Sequence, residues 1–552
     1  VWSGLNRGQK PEGIKMPMDK GMTGSRVKSE STSRSVVSST FFSLVARVFS
    51  FVQAMIVSAY FGATKSTDFL FFCVSFTTLL PGLFSNINQS VLIPNSIRIR
   101  ENKSEEESRK FMLSVYLFYL ILGVAACAVI NAVPEEFLAL TSKFSRVDIR
   151  ENMQIAKLII PTFFFILTNS YLLNVFDSYH YFTFPMILDM LKSALIIFFI
   201  LLLGKRYGVA SMAAGILIAH IIQFVLLNIS LVRLLGFRFQ FKWYRLEKDV
   251  RKNIFFAVIS QIASTINQYV VIYLISGLNE GVYTALSYSD RLYSIFVAVF
   301  TGQVSTVLGI NMIEMYAKGQ FDKLNRQYMK YIKVTMTLII PLCFILAVQA
   351  PLVISILFGR GNFGPDSVEL TAIFFKYCIL LVPMLLIDTL NVRLVIAKQI
   401  LHVSFIWNVI CKGLSCIVLF VIIHYMDYRY YGLGLLLIQF VYMLLNSAFM
   451  VKRQFHFISV YKSLVYFICS SLLCFGLCFG LSAAFPAAGT AGLLAKMGIL
   501  CAYSVLVFAG YYAIGFTTFN REAILLLCRY AAQFMPERAR VRLLKRNDLF
   551  KV

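Results

Sequence analysis

A chain of 552 residues that is 58% hydrophobic, with a mean hydropathy of +0.73, holds far more apolar sequence than a soluble core of that length needs. Its net charge of +25, from 52 Lys and Arg against 27 Asp and Glu, would suit nucleic acid in a soluble protein, but no stacking motif, zinc module or free basic helix accompanies it. The 11 cysteines are scattered without a C-x-x-C pair, the five histidines are isolated, and no G-x-S-x-G, H-E-x-x-H or P-loop pattern occurs, so an all-α polytopic membrane protein with no metal and no cofactor is expected.

Residues 1–35 are polar, rich in Ser, Gly, Lys and Arg, and read as a disordered cytoplasmic tail. From Val36 onward, a ruler of roughly 20 apolar residues per crossing predicts about fourteen spans. They lie near 36–61, 68–97, 109–132, 151–175, 183–203, 208–233, 251–277, 282–316, 328–356, 368–396, 401–424, 432–453, 460–484 and 490–516. Between the sixth and seventh, F-R-F-Q-F-K-W-Y-R alternates apolar and basic residues and predicts an interfacial linker over 234–250. The expected division is therefore a first six-helix lobe over 36–233, a second over 251–453, a terminal helix pair over 454–516, and a basic amphipathic tail over 517–552 lying on anionic lipid.

Charge asymmetry orients these spans. The first tail, the 98–110, 234–252, 317–333 and 452–462 loops and the last tail hold most of the Lys and Arg, so both termini are expected in the cytoplasm, with Gly277–Gly281 and Gly359–Pro365 outside. The loop from Asp177 to Tyr181 departs from this pattern, having no Lys or Arg.

Charges inside spans need a partner or a watered cavity, because a lone arginine at mid-bilayer costs about 2.5–3.5 kcal/mol on insertion scales. Arg47 sits deep in the first span, and Asp68 opens the second, where a carboxylate also suits a helix start. Asp189 and Lys192 are three apart on one face and can neutralise each other. Asp290 and Arg291 are adjacent, so they address different neighbours from one helix, as a cavity pair or as a salt bridge between helices. Lys157, Lys376 and Asp388 are secondary candidates; the lysines, with Lys412, are also placed to snorkel.

Several stretches together resemble the MurJ/MviN family of lipid II flippases, in the multidrug/oligosaccharidyl-lipid/polysaccharide exporter superfamily. They are S-L-V-A-R-V before F-G-A-T-K-S-T-D-F-L-F-F, I-A-K-L-I-I-P at 155–161, F-T-F-P at 182–185, Y-S-D-R at 288–291 and L-F-G-R-G-N-F at 357–363. The resemblance implies fourteen helices in two lobes around a cationic cavity, with a groove for a polyprenyl tail along the last pair. It matches Arg47, Asp68, Asp290 and Arg291 to the family's substrate-site residues. Gln53, Pro81-Gly82 and Ser294 stand where the family carries further arginines and a glutamate.

The function implied is a transporter, not an enzyme. It would flip a polyprenyl-diphosphate-linked glycan, foremost the peptidoglycan precursor lipid II, across the bacterial inner membrane, powered by Na+, H+ or the membrane potential, among cell-envelope synthesis proteins. The alternatives are a flippase for another lipid-linked oligosaccharide, O-antigen or exopolysaccharide, and a transport-dead scaffold.

Overall fold

A computed structural model describes residues 32–179, 181, 183–238, 244, 248–302, 312, 315–316, 318–397, 401–449, 458–482, 492–517, 521–525 and 527. Among them there is no strand. The expected first tail through residue 31, most of the basic linker and the tail beyond residue 527 lie outside the described residues.

The chain begins with α1 (Thr32–Phe61) and α2 (Lys65–Ile87); a π-helical turn (Asn88–Leu92) leads without a break into α3 (Ile93–Asn102). Next come α4 (Glu105–Ala132), the short α5 (Pro134–Thr141), α6 (Arg146–Glu151) and α7 (Met153–Ile159), then α8 (Thr162–Ser178), α9 (Thr183–Tyr207) and α10 (Val209–Arg233). The second part holds α11 (Lys248–Ser276), α12 (Val282–Val297), α13 (Phe321–Val348), α14 (Ala350–Phe358), α15 (Pro365–Ile379) and α16 (Leu381–Ala397). It closes with α17 (Leu401–Tyr425), α18 (Tyr431–Phe449), α19 (Ile458–Ser482) and α20 (Leu493–Thr517).

Local chemistry sets the boundaries. Thr64 and Thr67 form a reciprocal capping box that starts α2, so Thr64 caps this helix and the Asp68 carboxylate is left for another use. Ser104 caps α4, and Glu105–Glu107 place three carboxylates on its positive end. The first helices pack mainly on one another, α1 on α9, α9 on α10, and α8 on α2, α4 and α10. The later ones do likewise, α12 on α15, α13 on α19, and α18 on α15 and α17. The two sets meet chiefly where α2 runs along α11 and touches α12.

Eleven helices among the described residues are long and apolar enough to cross a membrane. Two shorter apolar helices, Val45–Phe61 and Val409–Tyr425, fall where two more spans are expected, and the expected span 282–316 runs into residues that are not described. The multi-pass all-α architecture is thereby established, while the number fourteen is not reached by the described residues alone. Large apolar side chains face outward along these helices, among them Phe198, Leu202, Ile410, Ile417, Leu472 and Phe479, as a lipid environment requires.

Candidate substrate-translocation site

Three connectors come together at one end of the helices: residues 62–64 after α1, 277–281 after α11, and 359–364 after α14. The carboxylate of Asp68, buried to 3% exposure, accepts from the backbone N–H groups of Gly281 (2.7 Å) and Thr284 (2.7 Å) and from the Thr284 hydroxyl (2.6 Å). It thus caps the start of α12 from across the boundary between the two helix sets, supplying acceptors to donors that have no partner inside their own helix. The backbone N–H of Lys65 donates to Glu280 Oε1 at 3.0 Å.

The third connector locks in through main-chain atoms. The Asn362 N–H donates to the Ala59 carbonyl at 3.0 Å, and its side-chain amide donates to the Tyr60 carbonyl at 2.6 Å. A Cβ at Gly361, whose φ is +60°, would stand 2.3 Å from the Ala59 oxygen, and one at Gly62, with φ +64°, 2.4 Å from the Asn362 oxygen. Only glycine fits this approach and this left-handed backbone. The F-G-A-T and L-F-G-R-G-N-F stretches therefore meet as the two halves of one seam, a role that neither motif reveals by itself. Under the seam lie Phe71, Tyr288, Phe358 and Phe363, with ring centroids 5.1–6.1 Å apart in successive contacts.

Below this plug the structure brings some of the expected site residues together and leaves others apart. Arg291 on α12 lies 5.3 Å from the ring centroid of Phe71 on α2, so it reaches across the same boundary as Asp68. Asp290 beside it is exposed, and among the described residues no Lys or Arg nitrogen lies within 4 Å of its carboxylate, although its charge acts on Arg291. Arg47 is half-buried on α1 and likewise has no carboxylate within 4 Å among the described residues. Asp68 is committed to the start of α12 and does not pair with either arginine. Lys157 is exposed on α7, and Lys376 is exposed on α15 over the Tyr377 ring at 4.7 Å. Asp189 and Lys192 form the expected ion pair at 3.0 Å. Asp388 is buried inside the second helix set, bonded by the Gln439 side-chain amide and, at 3.5 Å, by that of Asn446, apart from the arginines.

Sequence reasoning passed over a run of amides. Asn86 on α2 donates to Gln261 on α11 at 3.1 Å, and Gln89 in the π-helical turn donates to Asn174 on α8 at 3.1 Å. An uncharged Asn or Gln in an apolar run carries a weaker signal than Arg47 does, although N-I-N-Q-S at 86–90 is an unusually polar stretch for a span. Elsewhere, an apolar pocket of about 250 Å³ is lined by Phe344, Leu380, Met384, Leu436, Phe440 and Phe467, from α13, α16, α18, α19 and the residue that joins α15 to α16.

A bundle of this kind, two helix sets sealed to each other at one end with cations at membrane depth below the seal, defines a polytopic membrane transporter. Over residues 57–500 the chain matches the family model described as "Lipid II flippase MurJ". That match spans most of the sequence, and the chain belongs to this family, whose members are transporters rather than enzymes. The probable lipid II flippase MurJ of Borreliella burgdorferi is 25% identical over 350 residues, covering 63% of this chain and 68% of the relative. That of Rickettsia prowazekii is 24% identical over 355 residues, covering 61% and 68%. Among solved structures, a lipid II flippase MurJ in an inward closed conformation superposes with a TM-score of 0.72 at 19% identity, over 88% of this chain and 99% of that one. An inward-facing MATE-family multidrug transporter of the MOP superfamily gives 0.61 at 13% identity, over 77% and 99%. These two likenesses are likenesses of fold.

Proposed function

We infer that the protein is a flippase that carries lipid II from the inner to the outer leaflet of the bacterial inner membrane. The observation that carries this is the family match over residues 57–500, which contains Arg291 and follows shortly after Arg47. Both arginines stand within apolar helices, and among the described residues neither has a carboxylate within 4 Å. A guanidinium is paid for at such depth by a ligand, and its planar fork of donors fits two oxygens of a diphosphate. Arg47 and Arg291 stand on opposite helix sets, so a diphosphate held by both is a bridge between them.

In this mechanism residues 36–233 and 251–453 move as two lobes about the bound diphosphate. Asp68 and the Asn362 lock close the outward end while cargo loads from the cytoplasmic side, and they part to release it. Asp290, exposed next to Arg291, takes over that guanidinium once the diphosphate leaves. No bond is made or broken, and the reorientation of a charged site draws on an ion gradient or the membrane potential. Both termini face the cytoplasm, the basic tail beyond residue 517 lies on anionic lipid, and the polyprenyl chain lies along α19 and α20, with the apolar pocket beside α19 receiving part of it. Lys157, Lys376 and Asp388 are secondary to this site, the first two at its margins.

The test is transport of fluorescent lipid II in vesicles reconstituted with the full chain. Wild-type protein is expected to move it between leaflets, and Arg47→Gln and Arg291→Gln to lose nearly all of that activity with normal membrane insertion. A wild-type protein that leaves lipid II in its starting leaflet under every imposed gradient overturns the reading.

A further inference from the structure

One face of α2 is polar where a span should be apolar. Thr78, Asn86 and Ser90, with Gln89 beside them, are exposed, and Gly82 between them adds no side chain. Polar side chains exposed at this depth line water rather than lipid. The π-helical turn at Asn88–Leu92 shifts the register, and Gln89 and Ser90 both remain on the open side while Asn88 turns inward to accept from Tyr119 at 2.7 Å.

The amides on this face are held but not used up. Asn86 spends a side-chain N–H on the Gln261 oxygen, and Gln89 spends one on Asn174, which is itself fixed through Ser85 at 3.2 Å. Among the described residues, the Asn86 side-chain carbonyl, the Gln89 side-chain carbonyl and the Gln261 amide nitrogen have no hydrogen-bond partner. The face thus offers two free acceptor oxygens and several free N–H donors, on side chains already oriented by one bond each.

It also carries no charge. Between Phe69 and Ile97 there is no Lys, Arg, Asp or Glu, and between Asn253 and Ser276 on α11 there is none either. Depth separates it from Arg291. Since Asp68 ties the start of α2 to that of α12, a rise of about 1.5 Å per residue puts Asn86 roughly 18 Å further from the seam than Arg291. A ligand reaching both regions is anionic at one end and neutral, rich in hydroxyl and amide groups, at the other.

We propose that Asn86, Gln89 and Gln261 form a saccharide-reading subsite, in which their free side-chain carbonyls and N–H groups bond the neutral glycan while the arginines hold the diphosphate. This rests on the diphosphate-linked cargo proposed above and adds what selects among such cargoes. A sugar matched by these amides is favoured over a lipid that lacks it, because the side chains are already oriented and each bond to the sugar adds little ordering cost. Asn174 is a positioning residue, acting through Gln89.

The experiment compares the equilibrium binding of two probes, lipid II and undecaprenyl diphosphate without sugar, to the full chain in nanodiscs. Asn86→Leu and Gln89→Met keep side-chain volume and remove the hydrogen-bonding groups. Each is expected to weaken lipid II by about tenfold and leave undecaprenyl diphosphate unchanged, so that the preference of the wild type collapses. Arg291→Gln is expected to weaken both probes alike. Wild-type preference retained in both amide variants overturns the subsite and leaves the cargo reading standing, and so does an equal loss for both probes. A wild type that binds neither probe overturns the cargo reading, and the subsite with it.

Discussion

Replacing Asp68 by asparagine tests whether the seam between the three connectors is one cooperative unit. The side chain keeps its shape, but one oxygen becomes an NH2 group and must face either the Gly281 N–H or the Thr284 donors, which stand 2.6–2.7 Å from the carboxylate. A hydrogen bond to a charged group contributes about 1.5–3 kcal/mol, and a buried donor left unpaired costs a similar amount, so the sealed arrangement loses about 2–3 kcal/mol. That is a factor of roughly 30–150 in the sealed-to-open ratio. A seam closed about 99% of the time in the wild type would then be open roughly a quarter to 60% of the time. Amide hydrogen exchange of the full chain in nanodiscs reads this at Asn362, whose N–H is bound to Ala59 and does not touch Asp68. The Asn362 amide is expected to exchange faster by the same factor as those of Gly281 and Thr284. If only the 281–284 amides speed up, Asp68 is a local cap and the seam does not open as a unit.

Three further outcomes follow from named contacts. Gly361→Ala, which strains a left-handed residue by about 1–2 kcal/mol before its Cβ meets the Ala59 oxygen, should lower transport and speed exchange at Asn362 while leaving lipid II binding in detergent within about twofold. Arg47→Lys and Arg291→Lys keep charge but lose the fork, so each should transport more slowly than wild type and faster than its glutamine counterpart, in the vesicle assay normalised to folded protein. For topology, single cysteines at Glu136 and Asp366, both exposed, should react with an impermeant thiol reagent added outside intact cells, and one at Lys103 should not; labelling at position 103 would reverse the assigned orientation.

The membrane architecture was legible because length and hydropathy act locally: a run of apolar residues has to satisfy its backbone within a helix, whatever surrounds it. The Asp189 and Lys192 pair was legible for the same reason, a spacing of three on one helix. Asp68 shows where such reading ends. Its position at a helix start suggested its own dipole, yet Thr64 caps that helix, and the carboxylate serves backbone donors 213 and 216 residues further along. Backbone donors have no letter in the sequence. Arg47 and Arg291 stood out through the cost of burying charge, whereas Asn86, Gln89 and Gln261 did not, since an amide in a span is cheap enough to pass as packing. Asp388 was visible as a charge, but its amide partners Gln439 and Asn446, from a different helix, were not.

The lock at Asn362 and the cap at Asp68 share a property with a bearing on genetics. Of the groups they hold, the Ala59 and Tyr60 carbonyls and the Gly281 and Thr284 N–H groups are supplied by every residue type except, for the N–H, proline. A survey that truncates one side chain at a time would therefore record Tyr60 as indifferent or merely steric and pass over Ala59. Yet a one-residue deletion in any of the three connectors, which shifts the carbonyls and amides by a full step, would disable the closure outright. Tolerance of substitution combined with intolerance of length is the mutational signature to look for here, and proline or ester replacement at 281 and 362 would expose what alanine conceals.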